Sequence, residues 1–71
     1  MMERKAVRSR DIAIIGYDKE SAVLEIAVKN GGVYHYSKVP EELYRGFMGA
    51  SSYGAYFNQR IKEQYPYQKI A

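Results

Sequence analysis

Two strand patterns on either side of a glycine turn predict a β-hairpin in the middle of the chain, and this hairpin limits the fold more than any other feature. Residues 22–29 alternate between apolar and other side chains, so one face of this strand is buried and the other can meet water. Asn30-Gly31-Gly32 supplies residues that tolerate positive φ. Residues 33–38 then return as the next strand beside the first.

Tyr34 and Tyr36 share one face of that second strand, because strand residues i and i+2 point the same way, and His35 lies on the other face. Eight of the 71 residues are tyrosine, whereas tryptophan and cysteine are absent. The aromatic rings and hydroxyl groups of tyrosine are therefore the main side-chain groups that the chain can use for binding. This indicates binding rather than catalysis.

The length of the turn decides which face of the sheet the two tyrosines occupy. A two-residue loop at Asn30-Gly31 pairs Ala27 with Tyr34 and places both tyrosines on the wetter face. A three-residue loop, residues 29–31, pairs Ile26 with Tyr34 and places them in the core, since a slip of one residue reverses every side chain. We favour the core register because one face then collects five apolar or aromatic residues: Leu24, Ile26, Val28, Tyr34 and Tyr36.

Residues 11–17 precede the hairpin as a first strand, because their β-branched run is too short for a helix and ends at Gly16. Simple alternation places Ile12 and Ile14 on one face of this strand. The opposite face then carries Ala13, Ile15 and Tyr17.

Two helices follow the strands. Pro40 with the two glutamates after it starts the first helix, and Gly49 ends it. Ser51 or Ser52 caps the second, which extends to about Gln64. Gly46 and Gly54 are unfavourable inside helices, and close packing against a neighbour would explain them.

The predicted fold class is therefore α+β: a three-stranded antiparallel β-meander followed by two α-helices packed on one sheet face. Residues 65–70 either add an edge to the sheet or cover it. A chain of this length forms one domain with a small core, because it buries only about 60% of its unfolded surface.

The formal charge of +3 is concentrated at the start of the chain. Residues 1–10 hold four basic side chains and one acidic side chain, whereas residues 11–71 hold seven of each. We therefore divide the chain into a basic N-terminal arm, residues 1–8, and a single domain, residues 9–71. Such an arm can contact phosphates, although ordinary solvated charge gives the same composition.

The composition also predicts what the chain lacks. Without cysteine it has no disulfide and no thiolate metal site. No apolar segment follows the basic start, and no apolar run approaches the ~20 residues of a membrane helix, so neither a signal peptide nor membrane insertion is expected. We expect a cytoplasmic protein.

No catalytic or metal site is predicted. His35 is the only histidine, and neither metal-ligand spacing nor a nucleophile motif accompanies it. It is more simply a strand residue near solvent. Gly31-Gly32 lacks the lysine and the following helix of a phosphate loop. We expect no enzymatic activity, no cofactor and no metal.

The chain resembles the KTSC domain family, a small domain named for the C-terminal extension of some lysyl-tRNA synthetases that also occurs as a stand-alone bacterial or phage protein. The resemblance spans residues 7–67, with Arg10, Asp11 and Val28 departing from the family pattern. It is carried by these blocks, in order: Ile15-Gly16-Tyr17-Asp18, Leu24-Glu25-Ile26, Asn30-Gly31, Tyr34-His35-Tyr36-Ser37-Lys38-Val39-Pro40, Tyr44, Ala50-Ser51-Ser52-Tyr53-Gly54-Ala55-Tyr56-Phe57-Asn58 and Ile61. It implies a domain without assigned enzymatic activity, and its association with a tRNA synthetase favours RNA as a partner.

We therefore expect a small non-catalytic binding module whose partner is RNA or tRNA. Exposed tyrosines beside Lys29, Lys38 or Arg45 could stack on unpaired bases. The alternative is a protein-interaction domain or a homodimer without nucleic-acid binding, because an exposed tyrosine face can equally anchor a protein. The candidate nucleic-acid-binding residues are Arg4, Lys5, Arg8, Arg10, Tyr34, Tyr36, Arg45, Arg60 and Lys62.

Overall fold

The structure is a computed structural model that describes residues 2–71, in which two helices follow the fourth of five strands. The strands pair antiparallel in the sequential order β1-β2-β3-β4-β5. The α+β class with two helices on an antiparallel sheet is confirmed, but the predicted number of three strands is wrong. The elements are β1 (Glu3–Ala6), β2 (Ile12–Asp18), β3 (Val23–Val28), β4 (Val33–Tyr36), α1 (Glu41–Met48), α2 (Tyr53–Arg60) and β5 (Tyr67–Lys69).

The two additional strands lie at the edges of the sheet. Strand β1 comes from the segment predicted to be a basic arm, and it pairs Arg4 with Gly16 and Lys5 with Ile15. All four of its residues are exposed, so the sequence carries no burial pattern that would mark it as a strand. Met1, the first residue of the predicted arm, lies outside the described residues. Strand β5 lies within residues 65–70, which therefore add an edge to the sheet.

The hairpin between β3 and β4 adopts the core register. Ile26 pairs with Tyr34 and Leu24 with Tyr36. The Val28 amide donates to the Gly32 carbonyl oxygen at 2.8 Å, which closes a three-residue loop. Gly31 in that loop has a φ of +109°, a conformation that glycine adopts without strain. The favoured of the two predicted registers is thus confirmed.

Strand β2 corrects the predicted alternation. Its register against β3 shifts between Ile12 and Ile14, as a β-bulge does when one extra residue is inserted. The bulge brings Ile12 onto the same buried face as Ile15 and Tyr17 and leaves Ile14 36% exposed. Sequence alternation therefore assigned Ile12 to the wrong face.

Both helices begin where the sequence predicted. Helix α1 has Pro40 as its N-cap and Gly49 as its C-cap, and the Ser52 hydroxyl accepts a hydrogen bond from the Ala55 amide at 3.2 Å at the start of α2. Helix α2 ends at Arg60 rather than near residue 64. The chain turns after Ile61 and returns to the sheet, where the Ser37 amide donates to the Pro66 carbonyl oxygen at 2.9 Å.

The core lies between the helices and the face of the sheet that carries Leu24, Ile26 and Tyr36. Phe47 of α1 and Ile61 after α2 are fully buried against it. The opposite face, which we call the outer face, carries Glu25 and His35 and has no helix over it. The choice of sheet face covered by the helices therefore sets the environment of both tyrosines.

Candidate nucleic-acid interface

A cavity of about 740 Å³ opens on the helix side of the sheet, beside the β3–β4 loop. We call it the aromatic groove. Its volume lies in the range of ligand-binding clefts. Its lining combines aromatic, basic and acidic side chains: Arg10, Asp11, Val28, Lys29, Asn30, Tyr34, Tyr36, Phe57, Lys62, Glu63 and Tyr67.

Four aromatic rings of the groove contact one another in a chain. Tyr36 meets Phe57 edge to face, with ring centroids 5.4 Å apart. On its other side Tyr36 stacks with Tyr67 at 5.4 Å, and Tyr67 in turn meets Tyr34 at 6.1 Å with a tilt of 60°. Tyr36 is 4% exposed, whereas Tyr67 is 60% exposed. A buried ring thus supports an exposed ring, which presents a π surface at the groove.

Strand pairing brings these rings together. Tyr34 and Tyr36 share the helix-side face of β4, and the register of β5 places Tyr67 directly opposite Tyr36. Phe57 lies on the face of α2 that packs against the core. The aromatic groove therefore combines residues of the hairpin strand β4 with residues that follow it in α2 and β5.

The Tyr36 hydroxyl is accessible to solvent, although the residue is largely buried. Among the described residues no buried side-chain oxygen or nitrogen lacks a hydrogen-bond partner, and Tyr36 lines the cavity. Burial raises the pKa of Tyr36, and the neighbouring phenols of Tyr67 and Tyr34 raise it further. The hydroxyl stays protonated at neutral pH and is available as a hydrogen-bond donor.

Charged side chains surround the rings without pairing. Arg10, Lys29 and Lys62 bring three positive charges to the groove, and Asp11 and Glu63 bring two negative charges. Within residues 2–71, none of these five side chains forms an ion pair. They are consequently free to contact a bound molecule.

The structure brings four of the nine predicted site residues into this groove: Arg10, Tyr34, Tyr36 and Lys62. Arg8 lies beside them and lines a second, smaller cavity that also includes Arg10. Lys5 is exposed on the edge strand β1.

The other predicted cations are engaged elsewhere. The Arg4 Nε lies 2.7 Å from the Glu25 carboxylate, on the outer face. Arg45 Nη2 lies 3.2 Å from the Glu41 carboxylate, one turn away on α1. The Arg60 guanidinium lies 5.9 Å from the centre of the Tyr56 ring. None of these three lines the aromatic groove.

Comparison with known proteins gives a consistent result. The family model of the KTSC domain matches residues 8–65. The chain belongs to the KTSC domain family. It is 39% identical over 70 residues to an uncharacterised protein of Stutzerimonas stutzeri strain A1501, a match that covers 97% of this chain and 99% of the relative.

A solved structure shows the same architecture. The crystal structure of a KTSC domain protein from Yersinia pestis superposes with a TM-score of 0.96 at 39% sequence identity, with both chains covered in full. The resemblance found in the sequence is thus confirmed for both the family and the fold.

Sequence reasoning missed two ring-bearing positions of the KTSC groove. Tyr67 belongs to the segment predicted either to add an edge to the sheet or to cover it, and Phe57 appears only in the blocks that carry the resemblance, so neither is among the predicted site residues. Lys29 was considered as a neighbour of exposed tyrosines, and it does line the groove. The Tyr65-Pro66-Tyr67 segment after the helices was the available signal for a further strand, but its pairing with β4 depends on tertiary structure.

The outer face of the KTSC domain carries a separate polar network. Glu25 accepts from Arg4 at 2.7 Å, and its other carboxylate oxygen lies 2.8 Å from His35 Nε2. Gly16 makes room for this bridge, because a Cβ there would lie 3.0 Å from the Arg4 Cγ. The hydrogen bond from Arg4 is the main reason that the pKa of Glu25 lies below its ordinary value. His35 is therefore a half-buried residue of β4 that also pairs with Glu25.

No group of three or more histidine, cysteine, aspartate or glutamate side chains within residues 2–71 is arranged to hold a metal ion. Over the same residues, no helix is long and apolar enough to cross a membrane.

Proposed function

We propose that this KTSC domain is a non-catalytic module that binds single-stranded RNA in the aromatic groove. The observation that supports the proposal most directly is the exposed Tyr67 ring, stacked on the buried Tyr36 ring and surrounded by Arg10, Lys29 and Lys62. Bases stack on the exposed rings, and the cations contact phosphates.

The support behind Tyr67 matters for affinity. A ring that is already held in place by Tyr36 and Tyr34 loses little conformational freedom when a base stacks on it. Stacking on an aromatic side chain is worth about 1–3 kcal/mol per base. The two accessible rings, Tyr67 and Tyr34, thus favour unpaired bases over a duplex, because the faces of bases are available for stacking only outside a duplex.

The charges of the groove favour a polyanion. Its three cations have no carboxylate partner among the described residues, so no existing ion pair has to break when a phosphate binds. Neutralising phosphates releases counterions, and affinity then falls as salt concentration rises. The exocyclic amino groups of bases can donate to Asp11 and Glu63, which accept hydrogen bonds only.

Substitution of Tyr67 tests the proposal. Tyr67→Ala removes the exposed ring and weakens binding of a short single-stranded RNA by about tenfold or more, whereas Tyr67→Phe keeps the π face and binds within about twofold of the original protein. Fluorescence anisotropy of a labelled oligonucleotide measures both affinities. Thermal melts of both variants establish that the fold is intact. Binding that is unchanged in a folded Tyr67→Ala variant would contradict the proposal.

Lys29→Gln and Lys19→Gln form a matched pair for the charge contribution, because both remove one positive charge and only Lys29 lines the groove. Equal losses for Lys29→Gln and Lys19→Gln would show that only net charge matters.

Self-association through the outer face is the second candidate function. Ile14 and Ile70 are 36% and 50% exposed. Ile14 lies in register with Ala6 on one side and Ala27 on the other, so an apolar row crosses the uncovered face. Sedimentation across a range of protein concentrations distinguishes this candidate, since a monomer at every concentration would argue against it.

A further inference from the structure

A second cavity of about 450 Å³ lies next to the aromatic groove, between the β1–β2 connection and the start of α2. Its lining has a different chemistry. Tyr53 is its one aromatic member, and polar or small side chains supply the rest: Arg8, Ser9, Arg10, Asp11, Ser51, Ser52, Gly54, Ala55 and Asn58. We call it the polar cavity.

The two cavities share a wall. Arg10 and Asp11 line both of them. The segment that carries this wall is fixed at two points by backbone hydrogen bonds, from the Val7 amide to the Ala13 carbonyl oxygen at 3.0 Å and from the Lys29 amide to the Asp11 carbonyl oxygen at 2.8 Å. The connection that carries the wall lies between β1 and β2, and these two hydrogen bonds hold it against the sheet.

The chemistry of the two cavities is complementary along a nucleic-acid strand. The aromatic groove offers π surface for bases, whereas the polar cavity offers arginines and hydroxyl groups that suit phosphates and sugars. Arg8, Arg10, Lys29 and Lys62 provide four positive charges against the two carboxylates of Asp11 and Glu63. The lining of the two cavities thus carries a net charge of +2, compared with +3 for the whole chain.

We propose that the aromatic groove and the polar cavity form one continuous track for a single RNA strand, with Arg10 contacting the strand at the crossing. Bases occupy the aromatic groove, and the backbone of the adjoining nucleotides passes through the polar cavity. The Asp11 carboxylate at the crossing accepts from ribose hydroxyls, which are donors that RNA has and DNA lacks. This inference rests on the proposed function, and it makes the ligand an oligonucleotide rather than a free nucleotide.

Substitution of Arg8 distinguishes a continuous track from binding in the aromatic groove alone, because Arg8 lines the polar cavity and not the aromatic groove. Arg45→Gln is its matched control. It removes the same charge from an exposed position on α1 that lines neither cavity, and the Glu41 pair that it breaks is a surface ion pair worth little.

The experiment measures affinity for oligouridylates from two to about eight nucleotides, a range that spans the site sizes of small single-strand binders. Each length is titrated against the original protein, Arg8→Gln and Arg45→Gln at several salt concentrations. We expect Arg8→Gln to weaken binding of the longest strand several-fold and to reduce its salt slope by about one, with no change for the dinucleotide. We expect Arg45→Gln to match the original protein at every length.

The outcomes separate this inference from the proposed function. RNA binding that is equally unaffected by Arg8→Gln and Arg45→Gln at every length would overturn the track and leave the aromatic groove as the site. Equal losses in the two variants would also overturn the track, because they would reflect net charge alone. Failure of every RNA to bind the original protein would overturn the proposed function and the track together.

Discussion

At the scale of single residues, Glu25 shows how a charged side chain is accommodated on a strand of a small sheet. It is 8% exposed although it lies on the uncovered outer face. Arg4 crosses over Gly16 to bond it from one side, and His35 bonds it from the other. The ionised carboxylate is therefore stabilised by the fold, which lowers the pKa of Glu25.

This network predicts a pH dependence of stability. Because the pKa of Glu25 is lower in the folded state, its contribution is complete above the ordinary value of 4.5 and is lost as pH falls through the folded value. Glu25→Gln should cost about 1–2 kcal/mol in the free energy of unfolding at pH 7, a modest figure because Arg4 is 57% exposed.

Urea denaturation of both proteins between pH 3 and pH 7 measures the effect. The difference between the two proteins should shrink below pH 4.5 as the wild-type carboxylate becomes protonated. A difference that stays constant across this range would contradict the role assigned to the ionised carboxylate.

At the scale of elements, the contact between the two helices depends on one glycine. A Cβ at Gly46 of α1 would lie 2.5 Å from the Tyr56 hydroxyl of α2. That hydroxyl donates to the Leu43 carbonyl oxygen at 3.0 Å, and the Tyr56 ring stacks on Phe47. Close packing therefore explains Gly46 as predicted. The same explanation is wrong for Gly54, where a Cβ would meet no atom within 4 Å.

The two glycines give opposite predictions for alanine. Gly46→Ala should destabilise the fold by about 1–2 kcal/mol, because displacing Tyr56 costs more than the ~1 kcal/mol that alanine gains in a helix. Gly54→Ala should stabilise it by up to about 1 kcal/mol. Thermal or urea unfolding of the two variants measures both effects. Stabilisation by Gly46→Ala would show that the helices do not pack as closely as described.

Elements with a local signal were predictable, and those defined by distant partners were not. The helix starts at Pro40 and at Ser51 or Ser52 are local chemistry, so they could be read from the sequence. The glycine turn left two hairpin registers open, and the apolar face that one of them creates favoured the correct one. Strand β1 is four exposed residues and β5 is three, and each becomes a strand only through pairing with its neighbour. The bulge in β2 likewise has no marker in the sequence. It places Ile12 on the face opposite to the one that simple alternation predicts.

At the scale of the whole molecule, some residues of the candidate site could be predicted from the sequence, whereas others join the site only through tertiary pairing. The sequence identified Tyr34, Tyr36, Arg10 and Lys62, but it grouped them with cations that the fold places elsewhere, such as Arg4. Tyr67 completes the aromatic groove only because the chain returns after α2 to pair β5 with β4. The removal of residues 1–10, a natural test of a basic arm, would delete β1, so point substitutions are needed instead.

In the proposed function, RNA binds on the helix side of the sheet, in the aromatic groove. Amide proton–nitrogen correlation spectra recorded while single-stranded RNA is added locate the binding site. We expect the largest shifts at the amides of Arg10, Tyr34, Lys62 and Tyr67, whose side chains line the groove, and almost no shift at the amide of Glu25, whose side chain lies on the outer face. Shifts concentrated on the outer face, with the groove amides unmoved, would contradict the proposed function.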